Sequence, residues 1–157
     1  MRILGDILSV MQTFLTPLTI FITTCASFAV GMLWYSPFLF LNAWLKGEGL
    51  TLEKLPKREP VYLAQTHFYS FIAHGAIVSV LAVMFDLLSV STLKAALSLG
   101  LLLAFGFIIA PKFIDMIYTT KGKHYESVSQ LKFLVASGYY LVVVSVMSVV
   151  LFLVSAR

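Results

Sequence analysis

Gly31-Met-Leu-Trp-Tyr-Ser-Pro37, continuing as Phe38-Leu-Phe-Leu-Asn-Ala-Trp-Leu45, decides how this chain is arranged. It closes an uncharged run of 39 residues between Asp6 and Lys46. A membrane-spanning helix needs about 20 residues, so the run is too long for one span and barely long enough for two and a turn. Trp34 and Tyr35 favour a membrane–water interface. Pro37 removes a backbone donor and restricts Ser36, so a helix ends or bends there. The run therefore reads as one span over residues 13–35, a bend, and a short interfacial segment over residues 38–45.

Composition points the same way along the whole chain. Of 157 residues, 60% are hydrophobic and 11% charged, against about 25% charged in a soluble domain. The chain reads as an all-α integral membrane four-helix bundle, a single membrane domain over residues 1–157. Further spans are expected at residues 61–85, 93–110 and 133–154. The net charge of +4 sits in clusters between apolar runs, and no basic helix or aromatic-interleaved basic stretch marks a nucleic-acid surface. Cys25, the single cysteine, excludes an intramolecular disulfide. The stretch around Ile22-Thr-Thr-Cys25 mimics a cleavage site, but its apolar run continues too far for a signal peptide.

The first span carries a polar stripe. At 100° per residue, Thr16, Thr23 and Ser27 fall within about 20° of one line, with Thr19 and Gly31 on either side. Ser27-x-x-x-Gly31 is a small-xxx-small pair of the kind that lets membrane helices approach closely. Gly100-x-x-x-Ala104 and Gly106-x-x-x-Ala110 form two more, on different faces, and predict two packing neighbours for the third span. Pro111 predicts a kink or an end there, followed by an amphipathic extension. Ser91 or Thr92 is the expected cap of that helix. Gly138, Ser145 and Ser148 share one side of the last span. There is no internal repeat.

Lys and Arg set the expected orientation. Eight lie in or beside the two long loops, residues 46–60 and 112–132, against three on the other side (Arg2, Lys94 and Arg157). Both long loops are therefore expected in the cytoplasm and both termini outside. Trp34, Tyr35, Trp44, Tyr62, Tyr118 and Tyr125 border the same loops, as interfacial aromatics do.

Polar residues inside a span point to function by default. His67, Ser70 and His74 share one face of the second span, and both histidines are candidates for binding or for a proton relay. A shared metal on one helix is excluded by geometry: the two rings are about 10.5 Å apart along the axis, whereas a zinc–nitrogen bond is about 2 Å. Asp86, Lys94, Lys112 and Asp115 read as boundary charges. No glycine-rich phosphate loop, CxxC, GxSxG or HExxH is present, so no catalytic residue, metal or cofactor is assigned, and the sequence leans away from an enzyme.

Residues 26–46, with small residues, then Trp34-Tyr-Ser-Pro37, then Phe38-Leu-Phe40 and Ala43-Trp44, resemble the signature of an uncharacterised bacterial family of small four-span membrane proteins. Gly138-Tyr-Tyr140 is similar to that family's C-terminal part. Leu41 departs from the pattern, which often has glycine there for a tight turn. The resemblance implies a bacterial inner membrane, the four-span fold, an interface motif of Trp34, Tyr35, Ser36, Pro37 and Trp44, and no assigned activity.

Three functions fit these residues. The preferred one is a structural or interaction protein, an accessory subunit of a larger membrane complex or a homo-oligomer. The second is a small oligomeric transporter or channel with His67 and His74 on its path. The third is a membrane enzyme acting on a lipid or quinone, using residues 34–44 and Asp115. The expected partners are the lipid bilayer and further copies or subunits, with no nucleic acid.

Overall fold

The computed structural model describes residues 14–55, 59–119 and 127–155. Those residues form α1 (Pro17–Trp34), α2 (Leu41–Gly47), a single 3-10 turn (Leu52–Lys54), α3 (Pro60–Leu87), α4 (Leu93–Leu103), a π-helical segment (Ala104–Ile109), α5 (Ala110–Thr119) and α6 (Ser127–Ser155). Four helical stretches are long and apolar enough to cross a membrane: Pro17–Trp34, Pro60–Leu87, Leu93–Tyr118 and Gln130–Ser155. The protein is an all-helical membrane bundle. Arg2, Lys57, Arg58, Lys121, Lys123, Tyr125 and Arg157, which enter the orientation argument, lie outside the described residues.

Local chemistry sets most helix ends. Thr16 caps α1, its hydroxyl accepting the Thr19 amide at 3.2 Å, and Pro17 takes the first helical position, where no donor is needed. Thr92 caps α4 in the same way through the Ala95 amide at 3.1 Å. The α2 helix ends in a Schellman turn: Gly49 has φ +68°, the Leu50 amide donates to Leu45 O and the Gly49 amide to Lys46 O. The same motif closes α3 with Ser89, at φ +50°, in the left-handed position, and the Val90 amide donates to Phe85 O at 2.9 Å.

The bend after α1 is built without glycine. The Tyr35 amide donates to Gly31 O and the Ser36 amide to Leu33 O, and the Phe40 amide reaches back to Trp34 O at 3.0 Å. Pro37 has no amide to satisfy. Leu41 begins α2 without a positive φ, so no glycine is needed there.

Of the two outcomes expected for the third span at Pro111, an end is excluded. Its helix neither ends nor breaks there but runs on to Thr119. Proline lacks a donor, and its ring collides with the carbonyl four residues earlier. The preceding six residues open into π geometry, with the Ala110 amide donating to Phe105 O, which lets the chain pass the ring. The two long helices also exceed the hydrocarbon core. At 1.5 Å per residue, 28 residues in α3 reach about 42 Å, against about 30 Å of core.

Helix α6 is the centre of the bundle, packing against α1, α2 and α4 with its π continuation. Helix α3 lies on the far side of α1, joined mainly to it. Although only five residues connect α3 to α4, the two do not lie side by side among the described residues. The buried core runs through Val78, Leu81, Ala82 and Phe85 of α3, Val143, Met147 and Leu151 of α6, and Ala96 and Ala104. Of the two neighbours expected for the third span, one copy of the chain supplies α6. Gly100 is buried against Ser148 and Val144 of α6, but Gly106 faces open space, because α3, the other available neighbour, is taken up by α1.

Candidate functional site

The polar stripe of α1 turns inward: Thr19, Thr23, Thr24 and Ser27 are all buried. Two glycines then let α1 and α6 approach. Tyr139 of α6 lies over Gly31, where an added Cβ would come 3.0 Å from its hydroxyl, and Trp34 of α1 lies over Gly138, where a Cβ would come 3.2 Å from the indole. Each helix receives the other's aromatic side chain on a bare backbone.

This arrangement carries the Tyr139 hydroxyl to His74 of α3. His74 Nε2 lies 2.6 Å from Tyr139 Oη, and His74 Nδ1 lies 2.7 Å from Ser70 O. A carbonyl only accepts, so Nδ1–H donates to Ser70 O, and in the tautomer that carries this proton alone Nε2 accepts from the Tyr139 hydroxyl. Both ring nitrogens are satisfied within the chain. The Ser70 hydroxyl donates to Thr66 O at 2.8 Å, so Ser70 serves His74 through its backbone.

His67 does not join this pair. It is exposed, two turns away on α3. Phe28 of α1 meets both imidazoles edge-on, its centroid 6.1 Å from each. A phenyl ring therefore occupies the place where a polar seam between the two histidines would run. Among the described residues no group of three or more His, Cys, Asp or Glu side chains is placed to hold a metal ion.

The interface motif and Tyr139 form one aromatic wall. Trp34 stacks on Phe40 with centroids 4.2 Å apart and donates its indole N–H to Val135 O at 3.2 Å. Tyr35 meets Trp44 at 6.0 Å and Tyr139 at 5.3 Å. Tyr140 adjoins Tyr139 and carries the Lys112 ammonium 5.0 Å above its ring. Pro37 is exposed at the corner, and the Ser36 hydroxyl is buried without a hydrogen-bond partner. Helix α2 is clamped to the start of α6. Gly47 leaves less than a Cβ's room beside the Lys132 backbone, and Lys132 pairs with Glu48 at 3.0 Å.

Two residues have larger roles than the sequence reading gives them. Tyr139 is the partner of His74, a pairing across 65 positions that periodicity cannot reveal. Asp86, read as a boundary charge, is 3% exposed and accepts the Phe14 amide at 3.2 Å. Its spacing from Val78 and Ala82, four residues each, already places it on the buried face of α3. Lys112, also read as a boundary charge, is half-buried with its ammonium over the Tyr140 ring.

A family model described as a protein of unknown function (DUF1761) matches residues 18–152, which takes in all four spans. The comparisons with curated proteins and with solved structures give no match.

Proposed function

The chain belongs to the DUF1761 family of proteins of unknown function, and from that membership and the geometry of His74 we propose a structural or interaction role in a membrane assembly, as an accessory subunit or a homo-oligomer. The observation that carries this reading is the closed hydrogen bonding of His74. Its Nδ1–H is held by Ser70 O and its Nε2 by the Tyr139 hydroxyl. A relay needs a histidine that gains and loses a proton against a continuous polar path. Here Phe28 interrupts the path toward His67. The same contacts suit a clasp that ties α3, α1 and α6 together.

The helix through α4 and α5 supports an interaction role from the opposite side. Among the described residues it packs mainly against α6 and leaves Gly106 uncovered between the exposed Phe105 and Phe107. Close approach of another membrane helix favours such a small residue. In this reading the protein resides in a bacterial inner membrane, with the loops of residues 46–60 and 112–132 in the cytoplasm.

Native mass spectrometry of the protein extracted from its own membrane in mild detergent tests the proposal. A stoichiometric foreign subunit or a defined homo-oligomer is expected. A monomer without partners overturns it. So does a His74→Ala variant that alters proton or solute flux in liposomes while keeping its thermal stability, because that result makes His74 a conducting residue.

A further inference from the structure

The first half of α1 and the middle of α3 do not close on one another. The two run antiparallel, as Phe14 meets Phe85, Thr24 faces Gly75 and Phe28 meets Phe71. Between them a cleft of about 530 Å³ is lined by Leu15, Ile20, Phe21, Phe71 and Ile72. It lies wholly within two segments able to cross a membrane, apart from its rim at Leu15 and Thr16.

Its polar atoms are already used. The Thr24 hydroxyl donates to Ile20 O at 2.7 Å, the Ser79 hydroxyl to Gly75 O at 2.8 Å, and Thr16 shares its hydroxyl with Thr19 at 2.6 Å. Pro17, also in the wall, has no amide hydrogen. Among the described residues no charged side chain lines the cleft. A charged or hydrogen-bonding ligand would therefore lose its water with nothing in return. Water itself has no place in the hydrocarbon layer, and a void of this size would forfeit the dispersion contacts of its walls.

Length and ends narrow the occupant further. From Thr16 to Thr24 the cleft follows α1 for eight residues, about 12 Å, close to the roughly 15 Å that one leaflet contributes to the hydrocarbon core. Its Leu15–Thr16 end lies at the start of α1, at the edge of the span. Its deep end is stopped by Phe71, whose ring lies edge-on to Phe21 at 6.2 Å and to Phe28 at 5.7 Å. Gly75 keeps it open, since a Cβ there would only touch Thr24 at 3.7 Å, while a longer side chain would fill it.

We propose that the cleft between α1 and α3 binds a single lipid acyl chain, held along the helices from the membrane edge at Thr16 to the Phe71 ring. This site is independent of the His74 clasp, and its test does not depend on the oligomeric state.

The test is photo-labelling of the full chain in phosphatidylcholine vesicles doped with phosphatidylcholine that carries a diazirine on one acyl chain. With the diazirine at the chain end, adducts are expected at Phe71 and Phe21, several-fold above those at Leu102, Phe105 and Phe107, which are exposed elsewhere on the bundle. With the diazirine near the carbonyl, adducts move to Leu15 and Ile20. Gly75→Leu is expected to reduce both to the level of the other exposed residues. Equal labelling of all exposed apolar residues, regardless of diazirine position, overturns the proposal. So do cross-links between two copies at Phe21 or Ile72 in place of lipid adducts. If Gly75→Leu does not fold, the dependence on diazirine depth in the unaltered protein decides alone.

Discussion

His74 and Tyr139 form a pair because each answers a need of the other in a place without water. A buried hydroxyl or ring nitrogen left unpaired is costly, yet hydrogen bonds between membrane helices contribute only modestly. A double-mutant cycle of His74→Ala and Tyr139→Phe, read from thermal or denaturant unfolding in detergent, is expected to give a coupling of about 0.6–1.7 kcal/mol. A coupling near zero would mean that the 2.6 Å contact does not hold the helices. Ser89 illustrates a different constraint. It occupies the left-handed position that closes α3, where a side chain costs roughly 1–2 kcal/mol and glycine nothing. Ser89→Gly should therefore raise the melting temperature, offset in part by the greater freedom of glycine in the unfolded chain.

The helices depend on a few bare backbones at which they approach. Gly31→Ala puts a methyl group 3.0 Å from the Tyr139 hydroxyl, so the hydroxyl must move and its bond to His74 weakens. This variant should lower stability, and little further should be lost when Tyr139→Phe is added. Independent, additive losses would count against a shared contact. Gly47→Ala is the more severe change, since the new carbon meets the Lys132 backbone at 2.8 Å, and backbone cannot rotate away. Helix α2 should then detach from α6, seen as faster proteolysis of the chain between residues 45 and 60, while the four spans stay folded.

At the scale of the molecule, the bundle packs around α6. Its orientation rests on the charge of the loops. In a Cys25→Ala background, Lys46→Cys should react with a membrane-impermeant thiol reagent only after the membrane is opened from the cytoplasmic side, and Ser89→Cys should react from outside. The reverse pattern would invert the assignment.

What the sequence determined by itself follows from the solvent. A bilayer demands about 20 apolar residues per helix with every backbone group satisfied internally, so run length, charge clusters, Thr92 and the bend at Ser36-Pro37 mark the four spans and several of their ends. Much of the stripe of α1 was legible, because Thr16, Thr23 and Ser27 recur near one line with Thr19 beside it, but the burial of Thr24 was not. Only the tertiary structure decided which helix meets which. Apolar periodicity carries little direction in a helix that is hydrophobic all round, so nothing local places α1 between α3 and α6, joins His74 to Tyr139, or separates His67 from them by a phenyl ring. The π segment before Pro111, whose bonds shift by one residue, was also hidden. Asp86 shows the boundary between the two kinds of knowledge: its spacing puts it on the buried face of α3, but only the fold supplies the Phe14 amide that its carboxylate accepts.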